Sequence, residues 1–176
     1  EIPPGTGLGS SGAVTVNIIN IINELERLKL SKQDMAELAY DIGYNELKMP
    51  IGKQDEYAAA FGGVNFMQFN KDGTVDVEPL NVSREVRVRM EDDIMLFFTG
   101  RTRESSKILK SQDSSTKDER GDVVDSLHKI KDIAFQVKKA LESGDLAEFG
   151  RLLDVSWQNK KNLAKGISNP RIDKIY

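Results

Sequence analysis

Residues 3–12 read Pro3-Pro4-Gly5-Thr6-Gly7-Leu8-Gly9-Ser10-Ser11-Gly12, a glycine-rich loop. Apolar residues follow it at helical spacing: Val14, Ile18, Ile21, Ile22, Leu25 and Leu28. The apolar surface is wide, which predicts a helix buried on most sides. A phosphate needs backbone N–H groups that converge on it. Glycine lets the backbone come close and adopt positive φ. A helix N-terminus adds N–H donors and the positive end of a dipole. The hydroxyls of Ser10 and Ser11 can cap the helix, bind phosphate oxygens or hold a magnesium ion. The P-loop of NTPases is excluded, because its terminal Gly-Lys-Ser/Thr is missing here. Gly7-x-Gly9-x-x-Gly12 fits the dinucleotide fingerprint, but the acidic partner about 20 residues on is not placed at a strand end. Glu24 and Glu26 fall inside the predicted helix. The plainer alternative is a glycine turn entering a serine-capped helix.

A second segment reads Gly52-Lys53-Gln54-Asp55-Glu56-Tyr57-Ala58-Ala59-Ala60-Phe61-Gly62-Gly63. An attacking hydroxyl must lose its proton, and a carboxylate within hydrogen-bond reach can accept it. Asp55 sits at a predicted loop-to-helix junction, where a side chain can face a cleft. Lys53 can lower the Asp55 pKa or neutralise phosphate charge. The competing reading makes Asp55 the N-cap of a short helix over Glu56 to Phe61. The residues alone leave both open.

The loop resembles the second signature motif of the GHMP kinases, usually Pro-x-x-x-Gly-Leu-Gly-Ser-Ser-Ala. That family includes galactokinase, homoserine kinase and mevalonate kinase. Gly12 replaces the usual alanine. The resemblance implies that Pro4, Gly5, Thr6, Gly7, Leu8, Gly9, Ser10, Ser11 and Gly12 wrap the phosphates of ATP, with Ser11 on magnesium. Asp55 falls on the family's Gly-x-x-Asp-x-x-x-x-x-x-Gly pattern, which implies that it is the catalytic base, with Lys53 beside it. The fuller string resembles the branch that acts on a heptose 7-phosphate. So do Phe98-Thr99-Gly100-Arg101-Thr102-Arg103, Trp157-Gln158-Asn159-Lys160-Lys161 and Ile167-Ser168-Asn169-Pro170.

The family also holds magnesium with an acidic residue before the aspartate loop. Glu46 is the candidate, with Asp41 as the alternative. Arg101 and Arg103 follow an apolar run, and arginine binds phosphate bidentately; they would hold the far phosphate of the sugar, unless they are solvated loop charges. Lys107 would lie one helical turn beyond Arg103 if a helix starts there. The implied fold is α+β: part of a ribosomal-S5-like ATP-binding half over residues 1–83 and part of a ferredoxin-like half over 84–176, divided near Val82 to Val86. The implied reaction moves the γ-phosphate of Mg-ATP to the anomeric hydroxyl of a heptose 7-phosphate, for nucleotide-activated heptose synthesis. Fucose, galactose or mevalonate as acceptor, or a relative that binds nucleotide without transfer, are the alternatives. The family's N-terminal and C-terminal motifs are expected to lie outside the chain, which begins without methionine at Glu1 and ends at Tyr176.

Composition narrows the classes further. The 176 residues are 30% charged and 39% hydrophobic, the range of an ordinary folded domain. A net charge of -3 makes nucleic acid a poor default partner. With no cysteine, disulfides, thiolate metal sites and cysteine nucleophiles are excluded. No apolar run spans a bilayer. The expectation is a cytoplasmic protein with small-molecule partners, ATP and a sugar phosphate, and a homodimer is admitted. The single histidine, His128, is expected at the surface.

Along the chain, a helix is expected from Ser31 to Ile42, with Ser31 as N-cap and Gly43 as stop. Residues 64–69 and 74–80 read as strands joined by Asn70-Lys71-Asp72-Gly73. Val86, Val88 and Met90 alternate with arginines, which predicts a strand, and Ile94 to Phe98 predicts a central one. Residues 110–122 are expected to be a loop. Two long helices follow, one through Val123 to Leu141 and one through Leu146 to Leu163, parted by Ser143-Gly144-Asp145. Trp157 is expected in the core. Lys160 and Lys161 suit a helix C-terminus.

Overall fold

The structure, a computed structural model, describes residues 7–98, 121–164 and 166–176. The chain falls into two compact units. The described part of the first is residues 7–63.

Helix α1 spans Ser10–Glu26. Its N-cap is Gly9, whose φ of 68° is left-handed and suits glycine. The buried positions Gly12, Val16, Ile19 and Asn23 form one face, and α1 packs on α2 (Lys32–Asp41) and α3 (Gln54–Phe61). The expectation of burial on most sides is corrected. Val14, Ile18, Ile21, Ile22, Leu25 and Leu28 are all exposed, because α2 and α3 cover only the face that carries the glycine and the asparagine. Asn23 closes the α1–α2 turn: its buried Oδ1 accepts the Leu30 N–H at 2.9 Å.

Ser31 caps α2 as expected, in a reciprocal capping box with Asp34. Gly43 does not stop the helix. The chain runs on through a π-helical turn, Ile42–Glu46, because Gly43 is buried against the Ile51 side chain, where a Cβ would collide. The core joins Val16, Ile19, Met35 and Ala39, with Leu30, Ile42, Ala59 and Ala60 packed against it.

The second unit holds residues 64–98, 121–164 and 166–176 among those described. Its strands, β1 (Asn65–Phe69) and β2 (Val75–Pro79), form the expected antiparallel hairpin, with Phe69 opposite Val75. The Asn70–Gly73 turn closes through Asn70 N–H to Thr74 O at 2.9 Å. Phe66 stacks at a tilt on Phe135, 5.1 Å between centroids, and Lys138 reaches Glu78 at 2.6 Å. These contacts tie the hairpin to helix α5, Gly121–Ser143. The compact units accordingly divide at Gly63/Val64.

Two expected strands are corrected. Arg84–Asp93 is a helix, α4, because Ser83 accepts the Val86 N–H as N-cap and Val86 and Met90, four apart, turn inward together. Ile94 to Phe98 is irregular and exposed. A strand needs a neighbour for its backbone, and among the described residues the sheet has only two strands. Of the loop expected over 110–122, residues 110–120 lie outside the described residues, and α5 already begins at Gly121.

Helix α6 spans Leu146–Lys160 and packs on α5 around Ile133, Ala140 and Leu152, with Val137, Phe149 and Val155. It ends before Leu163, which is buried beyond it. Lys160 occupies its last turn and Lys161 its C-cap. Trp157 is half-buried against Tyr176, and His128 is exposed. Asn169 caps a final helix, α7, Pro170–Ile175. No helix among the described residues is long and apolar enough to cross a membrane.

Replacing Asn23 by alanine leaves the half-buried Leu30 N–H without its acceptor. The expected loss is about 1–3 kcal/mol of stability, read as a lower urea midpoint of the full-length protein.

Candidate active site

The first unit brings the glycine loop and the aspartate segment together. A Cβ built on Gly9 would lie 3.4 Å from Asp55 Cγ and 3.5 Å from Asp55 Oδ2. One built on Gly12 would lie 3.2 Å from the Asp55 carbonyl carbon and Cβ, and 3.3 Å from the Glu56 nitrogen. The first turn of α1 thus touches the first turn of α3 across two glycines.

The α1 terminus is arranged to receive an anion. Its first intrahelical bond is Ala13 N–H to Gly9 O at 3.0 Å, and no side chain caps the end. This removes the serine-cap alternative: Ser10 and Ser11 lie inside the first turn. The N–H groups of that turn have no intrahelical acceptor, and the dipole favours negative charge there. Gly7 is also left-handed, at φ 76°, with open space where a Cβ would project. Pro4, Gly5 and Thr6 lie outside the described residues, as do Arg101, Arg103 and Lys107.

Asp55 is not a helix cap either. The helix begins one residue earlier, at Gln54, with Lys53 in the N-cap position and no side-chain cap. Asp55 therefore stands in the first turn of α3 with its carboxylate exposed and beside Gly9. That geometry leaves it available to an incoming hydroxyl.

Lys53 is engaged from the other side. Its ammonium reaches Glu37 Oε1 and Oε2 at 2.7 and 2.8 Å and sits 5.2 Å from the centre of the Tyr40 ring. The Tyr57 hydroxyl also donates to Glu37 Oε1. Burial pushes the Glu37 carboxyl up, but the bonds from Lys53 and Tyr57 and the Lys53 charge outweigh it, so its pKa lies below the ordinary value. Burial pushes the Tyr57 phenol up, and the Glu37 bond and charge push it further. Glu37 and Tyr57 carry no sequence signal of their own: a glutamate on an amphipathic helix and an aromatic residue in a short one are ordinary.

Glu56 is a second feature the sequence does not disclose. It is 5% exposed, and its Oε2 has no protein partner. Burial raises its pKa above the ordinary 4.5; a bond from its own backbone N–H opposes this, and the charge of Asp55 adds to it.

Glu46 closes the π-helical turn and is exposed. Asp41 Oδ1 accepts from Asn45 at 2.6 Å. No three acidic or histidine side chains gather into a metal cluster among the described residues. Magnesium does not require one, because it usually keeps waters and phosphate oxygens and takes only one or two carboxylates. The hydroxyl of Ser11 and the carboxylate of Glu46 are hard oxygen donors of the type it accepts.

Residues 1–63 match the family model described as the GHMP kinases N terminal domain. They belong to that family. The match ends where the first compact unit of the fold gives way to the second, at Gly63. The chain is similar to a D-glycero-alpha-D-manno-heptose 7-phosphate kinase of Campylobacter jejuni, 35% identical over all of this chain and 51% of that protein. It is 27% identical to an L-fucokinase/L-fucose-1-P guanylyltransferase of Bacteroides fragilis, over 99% of this chain and 18% of that protein. A solved D-glycero-D-manno-heptose 1-phosphate kinase from Bacteriodes thetaiotaomicron is 36% identical and superposes with a TM-score of 0.76, over 91% of this chain and 45% of that one. The α+β fold is thus part of the GHMP kinase architecture, and the chain spans about half the length of the heptose kinases it matches.

Glu56 gives a pH test of the GHMP domain's interior. A carboxyl with a raised native pKa favours folding below its unfolded value and loses that contribution as pH rises. Glu56→Gln should therefore stabilise the protein at pH 7, by roughly 1 kcal/mol. The gain should vanish below pH 4.5, and thermal unfolding across pH would check both limits.

Proposed function

We propose that the protein is a sugar kinase that transfers the γ-phosphate of ATP to a hydroxyl of a heptose 7-phosphate, the anomeric one. The observation that carries this reading is the close approach of Asp55 to two glycines at an uncapped helix N-terminus, its carboxylate beside Gly9 and its backbone beside Gly12. In this reading a proton acceptor stands beside a phosphate cradle. Phosphoryl transfer asks little else of a protein beyond positioning and charge stabilisation.

In this reading the loop from Pro4 to Gly12 holds the phosphates through its backbone N–H groups. Asp55 accepts the proton of the attacking hydroxyl. Lys53 stands two residues before it, with its ammonium paired to Glu37. Ser11 and Glu46 would hold magnesium, which when bound neutralises charge on the phosphates. Arg101 and Arg103 would take the phosphate at the far end of the sugar. The two heptose kinases support the heptose acceptor. The fucokinase relative makes fucose the first alternative.

The test supplies the full-length protein with Mg-ATP and, separately, heptose 7-phosphate, fucose, galactose and mevalonate. The expected result is consumption of heptose 7-phosphate alone, with kcat lowered about 10²–10⁴-fold by Asp55→Asn. A different preferred sugar would keep the kinase and change the acceptor. ATP binding without any transfer would leave a nucleotide-binding relative that performs no chemistry.

A further inference from the structure

The residues two positions before and two positions after Asp55 are tied to one residue outside their own segment. Lys53, two residues before it, and Tyr57, two residues after it, both bond to the carboxylate of Glu37 on α2. The Lys53 side chain, at the start of a helix that lacks a side-chain cap, is turned to Glu37. Tyr57 is fully buried and gives its hydroxyl to the same carboxylate. The Tyr40 ring beneath the Lys53 ammonium narrows its choice of positions further.

The tolerance at the opposite face of α3 is small. With a Cβ at Gly12 only 3.2 Å from the Asp55 backbone, α3 and α1 already sit closer than an added methyl group would comfortably allow. A shift of α3 by a fraction of an ångström therefore moves the Asp55 carboxylate relative to the glycine loop. Misplacement of a reacting group by about 1 Å can cost on the order of 10²-fold in rate.

We propose that Glu37 is a positioning residue for Asp55: by clamping Lys53 and Tyr57 it fixes the first turn of α3 against the glycine loop. The inference rests on the kinase reading, in which Asp55 touches the reacting hydroxyl. Glu37 itself touches no substrate. Its bonds run 16 and 20 residues along the chain, from one helix to the start and the middle of another.

The experiment compares wild type, Glu37→Gln, Tyr57→Phe and their double variant in the full-length protein. Steady-state kinetics are paired with amide exchange at residues 55–58. Glu37→Gln should lower kcat about tenfold while KM for ATP stays within about twofold. Exchange at 55–58 should quicken by about tenfold as the turn loosens. Tyr57→Phe should lower kcat about threefold, and the double variant should fall no further than Glu37→Gln. Wild-type kcat in Glu37→Gln, or losses that multiply in the double variant, would overturn the inference. If Glu37→Gln does not fold, Tyr57→Phe with Lys53→Met carries the same test: losses that fail to multiply support the clamp, and losses that multiply overturn it. A wild type that transfers no phosphate would sink the kinase reading alone, and the exchange rates would then decide the clamp.

Discussion

The site depends on one close approach: two helix N-termini meet where one of them presents glycines. Gly9 and Gly12 lie in and beside the first turn of α1, and Asp55 lies in the first turn of α3. A larger residue at Gly12 would meet backbone rather than a flexible tip, so the gap cannot be recovered by a rotamer change. The glycines therefore do two things. They let the loop run through left-handed backbone, and they let the Asp55 carboxylate stand beside the α1 terminus.

The rest of the first unit serves this contact. Val16 and Ile19 continue the face that begins at Gly12 and pack it onto Met35 and Ala39 of α2. Ala59 and Ala60 of α3 close against the same core. The small residues of α3 let three helices crowd together, and Glu37 adds a polar tie between α2 and α3. Its bonds are charge-assisted and half-buried, the setting in which such contacts have directional value. Glu56 runs against this economy: it is a buried carboxylate without a full set of partners, next to Asp55.

Much of this was legible in the residues. The glycine loop, the Ser31 cap, the hairpin at Asn70–Gly73 and the α5–α6 pair are all local signals, set by chemistry within a few residues. What was not legible depends on distant partners. Val86, Val88 and Met90 alternate like a strand, yet Ser83 as cap and the four-residue spacing from Val86 to Met90 make a helix. Ile94 to Phe98 has the composition of a central strand but no strand beside it among the described residues. Gly43 reads as a stop, but a neighbour's side chain, Ile51, gives it a packing role instead. In the site, the sequence offered Asp55 as base or as cap, and the helix start at Gln54 removes the cap. The Glu37 clamp joins residues 16 and 20 positions apart, which no local pattern could reveal.

The most direct test of the central claim is amide hydrogen exchange of the full-length protein with and without Mg-ATP. If the α1 terminus and Asp55 form one phosphate-handling site, exchange should slow together in residues 9–13 and in the first turn of α3 when nucleotide binds. Slowing elsewhere, with both segments unchanged at saturating nucleotide, would contradict it.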